Sequence, residues 1–144
     1  MSVPPEVLEV LRQWVRKAEH VLEASRRIMV IEDRCPYDTA CFHCQQAVEK
    51  YLKALLTLLG IHAAHTHDLE KLVEDLPPER QGLFPIEVLV ALNPYAVEVR
   101  YADDWREPGR SEASRALETA EMVRAIIRPL LPAEALDQRP FELR

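Results

Sequence analysis

Apolar side chains return every three or four positions through most of this chain, and prolines fall between the runs rather than inside them. Leu8, Leu11, Val15, Ala18, Leu22 and Ile28 mark the first run, which begins at Pro4-Pro5 and ends near Met29. Trp14 and Val21 widen its stripe. A repeat of about 3.6 residues describes an amphipathic helix. Proline suits its first turn, where the missing N–H has no helical partner.

The second run covers about Tyr37 to Leu59 and stops at Gly60, with Asp38 as candidate N-cap. On a wheel of about 100° per residue, Cys41, Cys44, Val48, Tyr51, Leu52, Leu55, Leu58 and Leu59 share one arc. His43, Gln46, Lys50 and Lys53 share the opposite arc, which reads as turned away from the core. Phe42 and Leu56 lie off the main apolar arc, so this face is expected to touch another helix or a partner.

The third run, Asp68 to Leu76, places Leu69, Leu72, Val73 and Leu76 on one side. Asp68 or Thr66 caps it and Pro77-Pro78 ends it. A short fourth run spans about Pro85 to Leu92, and Asn93-Pro94 then reads as a stop followed by a restart. The stretch VEVRY fits a helix or a short extended piece. The fifth run starts near Ser111 and ends before Pro132, with Ala113, Ala116, Leu117, Ala120, Val123, Ile127 and Leu130 as its stripe. Four or five helices with short links imply an all-α, up-and-down bundle. Residues 1–132 read as one domain and 133–144 as a tail without sustained periodicity.

With 144 residues the chain is long enough for one hydrophobic core. Apolar residues at 48% and charged residues at 29% exclude disorder as the main state. No stretch of about 18 apolar residues spans a membrane, and no basic start leads into an apolar leader, so a cytoplasmic protein is expected. A net charge of −6 argues against a general nucleic-acid coat but permits a local basic groove. Three glycines leave no glycine-rich phosphate loop. Three cysteines read as free thiols.

Several clusters carry chemistry in principle. Cys41, His43 and Cys44 offer zinc-type donors, but the thiols lie on the apolar arc and the imidazole opposite, which favours packing over ligation. His62, His65 and His67 crowd one connector and read as a helix-capping or solvated loop. His43, Gln46, Lys50 and Lys53 can offer hydrogen bonds and charge to a phosphate or a base edge. Arg100 and Tyr101, followed by Asp103, Asp104, Trp105 and Arg106, pair a forked guanidinium with an aromatic ring. No serine or cysteine sits in a nucleophile motif, so no catalytic residue, metal or cofactor is assigned.

The stretch CFHCQQAVEKYLKALLTLLGIHAAHTHDLEKLVEDL is more specific than its parts. Phe42-His43, Gln45 to Lys50, Leu52 to Leu55, Gly60, His67-Asp68-Leu69 and Leu72 together resemble the HEPN domain, named for higher eukaryotes and prokaryotes nucleotide-binding. Tyr95, Arg100 and Tyr101 resemble the family's second block, with Ala102 where the family has proline. The resemblance covers about Val7 to Leu131. It implies a helical bundle, a symmetric homodimer, and the company of a minimal nucleotidyltransferase, in pairs that include toxin–antitoxin systems. It also implies nucleotide or RNA contact through His43, Gln46 and Lys50 on one wall and Arg100 and Tyr101 on the other. Some members cut RNA with an arginine, four to six residues, then a histidine. Here Arg16 to His20 leaves three residues between, Arg12 to His20 seven, and Arg34 to His43 eight, and no histidine follows Arg100. The signature is absent. The leading expectation is therefore a non-enzymatic binding partner. A divergent ribonuclease using Arg100 and His43, or a structural dimer built on Phe42 and Leu56, are its rivals.

Overall fold

The computed structural model describes residues 2–96 and 106–136. VEVRY, Arg100, Tyr101, Asp103, Asp104, Trp105 and tail residues 137–144 lie outside the described residues. The described elements are helices α1 (Pro5–Ile28), α2 (Tyr37–Leu58), α3 (Leu69–Glu74), α4 (Pro78–Gln81), α5 (Ile86–Val90), α6 (Arg110–Ile127) and α7 (Ala133–Leu136), with 3-10 turns at Asn93–Ala96 and Arg128–Leu130. The all-α bundle read from periodicity is present. To the five expected segments the structure adds the single turns α4 and α7.

Each long helix buries the stripe that its sequence sets out. In α1 the buried positions are Leu11, Val15, Ala18, Leu22 and Ser25, a three-and-four spacing that keeps them on one face. Ser25 extends this seam into α2: its hydroxyl donates to the Ala40 carbonyl at 3.1 Å and lies 3.1 Å from Cys44 Sγ. Further along, Glu19 meets Tyr51, and Lys53 meets Trp14. Falling numbers in α1 match rising numbers in α2, so the two form an antiparallel hairpin. Arg26 pairs with Glu121, and Glu19 with Arg124 and Arg128, so α6 is also antiparallel to α1 and runs parallel to α2. Buried Ala113, Ala116 and Ala120 on α6 permit close approach of the packed helices.

The middle helix is enclosed on more than one side. Ala40, Cys41, Cys44, Gln45, Ala47, Val48, Glu49, Tyr51, Leu52, Ala54, Leu55 and Leu56 are all buried in α2. Of the two options for Leu56, another helix or a partner, the structure takes the first, which removes it from the dimer surface of the structural-dimer reading. Leu56 is fully buried within one chain, because α2 packs against α1, α6 and α3 at once. Phe42 stays half-buried.

Gly60 ends α2 as its position suggests. It sits at φ +74°, where a side chain would be strained. Ile61 N–H donates to the Leu56 carbonyl at 2.9 Å and Gly60 N–H to Thr57 at 3.1 Å, which is a Schellman closure. Asp68 caps α3 by accepting from Glu70 N–H at 3.0 Å. Asp38 sits inside the first turn of α2, where its carboxylate accepts from Thr39 N–H at 2.9 Å, while Pro36 holds the cap position. Asn93 also acts across the fold: its carbonyl accepts from Leu69 N–H and its amide donates to Asp68, both at 3.0 Å. Gly109 precedes α6 at the N-cap. The segment after Pro132 opens with α7, whose Ala135 is buried and whose Glu134 carbonyl accepts from Arg12 Nε at 2.9 Å. Among the described residues no helix is long and apolar enough to cross a membrane.

Candidate nucleotide site

The polar arc of α2 is not a solvated face. Gln45 is fully buried and donates to the His67 carbonyl at 2.9 Å. Gln46 donates to the Gln45 side-chain carbonyl at 2.7 Å, and Lys50 Nζ donates to Gln46 Oε1 at 2.7 Å. Glu49 is 3% exposed, with Lys53 Nζ 3.1 Å and Lys50 Nζ 4.0 Å from Oε2, and His67 Nδ1 2.6 Å from Oε1. Glu49 and Lys53 are an i,i+4 ion pair. The arc of His43, Gln46, Lys50 and Lys53 is half-buried rather than open, and the connector at residues 61–68 is tied to the adjoining Gln45 and Glu49. Residues 45, 49 and 53, and 46 and 50, repeat at four-residue intervals, so each set is stacked along one line of the helix.

Of the residues read as a nucleotide site, Gln46 and Lys50 are in direct contact. His43 lies one turn nearer the helix start, half-buried, its ring tilted against Phe42 at 5.7 Å between centroids. Arg100 and Tyr101 fall outside the described residues.

Pattern reading missed the contribution of α1. Lys17 Nζ lies 5.7 Å and Lys53 Nζ 5.5 Å from the centroid of the Trp14 ring. Lys50 adjoins this pair. Its ammonium is held below the ordinary value by burial, partly offset by Glu49 and lowered further by the charges of Lys53 and Lys17. The chain has four lysines, at 17, 50, 53 and 71, and three of them meet here. Beside them lies a cleft of about 480 Å³, lined by Val10, Trp14, Lys53, Thr57, His62, His65 and the connector between them. The only sequence hint was that Trp14 widens the α1 stripe.

Two other carboxylates hold the bundle together. Glu19 Oε1 accepts from Arg124 Nε at 2.8 Å, Arg128 Nη1 at 2.9 Å and the Tyr51 hydroxyl. Burial pushes this carboxyl up, but the hydrogen bonds from Tyr51 and Arg124 and the charges of Arg124 and Arg128 outweigh it, so Glu19 stays below its usual value. Glu112 accepts from Arg106 at 3.0 and 3.1 Å and from the Tyr95 hydroxyl, which lowers it too. A carboxyl lowered on folding adds stability above its unfolded value and loses it as pH falls through the folded value. Glu19→Gln is therefore expected to cost about 1–3 kcal/mol at pH 7. Urea midpoints taken from pH 7 down to pH 3 should fall less steeply in the variant than in the parent protein.

The thiols serve packing. Burial, with the charges of Cys44 and Glu112, pushes Cys41 up to about 12. Burial pushes Cys44 up to about 11 against the Ser25 hydrogen bond. Zinc takes thiolates, which burial disfavours here. Among the described residues no group of three or more His, Cys, Asp or Glu is placed to hold a metal ion.

The family model described as HEPN domain matches residues 11–130. The chain belongs to the HEPN family. The matched span takes in Trp14, Lys17, the whole of α2 and the connector over it, so the lysine cluster is part of the HEPN domain itself. Among solved structures, TT1696 from Thermus thermophilus is 29% identical, with a TM-score of 0.70, over 84% of this chain and 98% of that one. The archaeal HEPN homologue ST0689 has the same fold at 24% identity and a TM-score of 0.57, over 81% of this chain and 93% of its own. No curated protein matches the chain.

Proposed function

We propose that this HEPN protein binds a nucleotide or a short RNA, and acts as a homodimeric partner of a minimal nucleotidyltransferase in a toxin–antitoxin-like pair. One observation carries the binding part: three of four lysines gather at one place in a chain of net charge −6. Like charges held together repel, and burial makes the repulsion stronger. Glu49 offsets one charge, and His67 competes for the same carboxylate. A bound phosphate would relieve the remainder.

Gln46 and His43 extend this wall along α2. Arg100, for phosphate contact, and Tyr101, for stacking, belong to the reading through the sequence resemblance. The partnership with a nucleotidyltransferase rests on that resemblance as well.

Calorimetric titration with nucleotides and a short single-stranded RNA tests the binding. For an RNA touching three lysines, the log of the binding constant should fall with log salt at a slope of about −2. The absence of binding heat for every ligand contradicts the reading. For the partnership, a tagged copy purified from its own host should bring down a nucleotidyltransferase in comparable amount, and its absence counts against that part alone.

A further inference from the structure

The cleft beside Trp14 has a lining that the charge argument leaves unused. Its volume, about 480 Å³, falls in the range of small-molecule sites. One wall is the Trp14 ring with two ammonium groups near it, 5.7 and 5.5 Å from its centroid. Val10, which is 41% exposed, continues that wall as bare apolar surface. Opposite runs the connector of residues 60–65, which brings His62 and His65 together with ring centroids 6.1 Å apart. Among the described residues no Asp or Glu lines the cleft, in a chain with 24 of them. A ring surface, apolar walls, an ammonium and two imidazoles, without a carboxylate, fit a flat aromatic group joined to an anion.

We infer that this cleft seats a free mononucleotide, with the base against Trp14, the phosphate reached by Lys53 and the two histidines that line it, and Lys17 adding its charge from beside the ring. The inference rests on the nucleotide-binding reading and adds the place and the size of the ligand. Lys53 keeps donors for the phosphate, because an ammonium has three and Glu49 takes one. The connector is fixed against α2 by the left-handed Gly60 turn at one end and by His67 at the other, so the pocket is largely formed before ligand arrives.

The test uses the full chain with Trp105→Phe, so that Trp14 is the remaining tryptophan. The four ribonucleoside 5′-monophosphates are titrated, together with adenosine, ribose 5-phosphate and a short oligoadenylate, by fluorescence and by calorimetry. At least one monophosphate should change Trp14 fluorescence saturably. Adenosine and ribose 5-phosphate, which each offer half of the contacts, should bind at least about tenfold more weakly than that monophosphate. Lys17→Glu should raise its dissociation constant at least about tenfold with the melting temperature in place. Trp14→Phe, followed by calorimetry, should weaken it in the same direction. If Trp14→Phe does not fold, Lys17→Glu alone decides.

Calorimetric binding with flat fluorescence and no effect of Lys17→Glu overturns the cleft while leaving nucleotide binding intact. Oligoadenylate binding more than about tenfold tighter than any monophosphate overturns the choice of a free nucleotide for an RNA strand. Trp14 fluorescence that varies with protein concentration and ignores every ligand assigns the cleft to a second copy of the chain. Failure of every ligand in calorimetry sinks both this inference and the reading beneath it.

Discussion

Leu56→Ala is expected to destabilise the folded chain by about 2–5 kcal/mol, without changing its oligomeric state. The side chain is fully buried in α2, and its removal leaves a void whose lining loses contacts on one side. Nothing in α2 can slide to fill it, because Leu52, Leu55 and the Schellman closure at Gly60 fix the turns on either side. The Leu56 carbonyl accepts the Ile61 N–H at that closure, so a shift of the helix end would also disturb the connector. Chemical unfolding measures the loss, and light scattering measures the mass. A variant of unchanged stability that falls to half the mass would restore Leu56 to a subunit interface and contradict the packing described above.

Glu49→Ala is expected to cost about 2–3 kcal/mol. Removing one partner of a buried ion pair costs about 3–5 kcal/mol when the remaining charge is sealed in. Here Lys53 is 12% exposed and Lys50 17%, and His67 is more open still, so water recovers part of the loss. Glu49→Gln should cost less, because its amide oxygen still accepts from Lys53. The second effect of Glu49→Ala is on the cleft. His67 would lose one of its two ties to α2, leaving its carbonyl bond from Gln45, and the connector that forms one wall would loosen. Hydrogen exchange at residues 61–68 should rise more in Glu49→Ala than the global loss of stability explains. Equal protection in both proteins would show that the carboxylate does not hold the connector.

The bundle was legible because periodicity and punctuation agree. The stripes of α1 and α6, the stop at Gly60 and the cap at Asp68 each follow from local rules that tertiary packing leaves in force. For Leu56 the sequence left open another helix or a partner, and for a physical reason. A wheel divides a helix into one buried side and one wet side, whereas α2 is covered from several directions. The same assumption made His43, Gln46, Lys50 and Lys53 look like an outer face, although all four are half-buried. The neighbouring Gln45 and Glu49 bond to a connector about twenty residues downstream, which no local pattern announces.

The Trp14 cleft was the least legible feature. It joins one flank of α1 to histidines nearly fifty positions later, and each part has an ordinary reading alone. A tryptophan on a stripe edge widens a core face, and a histidine-rich turn faces solvent. Only the antiparallel hairpin brings them together. Arg100 and Tyr101, the second wall implied by the resemblance, lie outside the described residues.

The most direct test of the account is a thermal-shift titration at fixed protein concentration, comparing the parent chain with Lys17→Gln/Lys50→Gln/Lys53→Gln. With ligand at about 100 times its dissociation constant, a nucleotide or short RNA should add about 2.7 kcal/mol to the parent chain. For a domain of this size that is a rise of several degrees. The account predicts a clear shift in the parent chain and little or none in a triple variant that still melts cooperatively. Equal shifts in both proteins, or none in either, would contradict a binding site built on the three lysines.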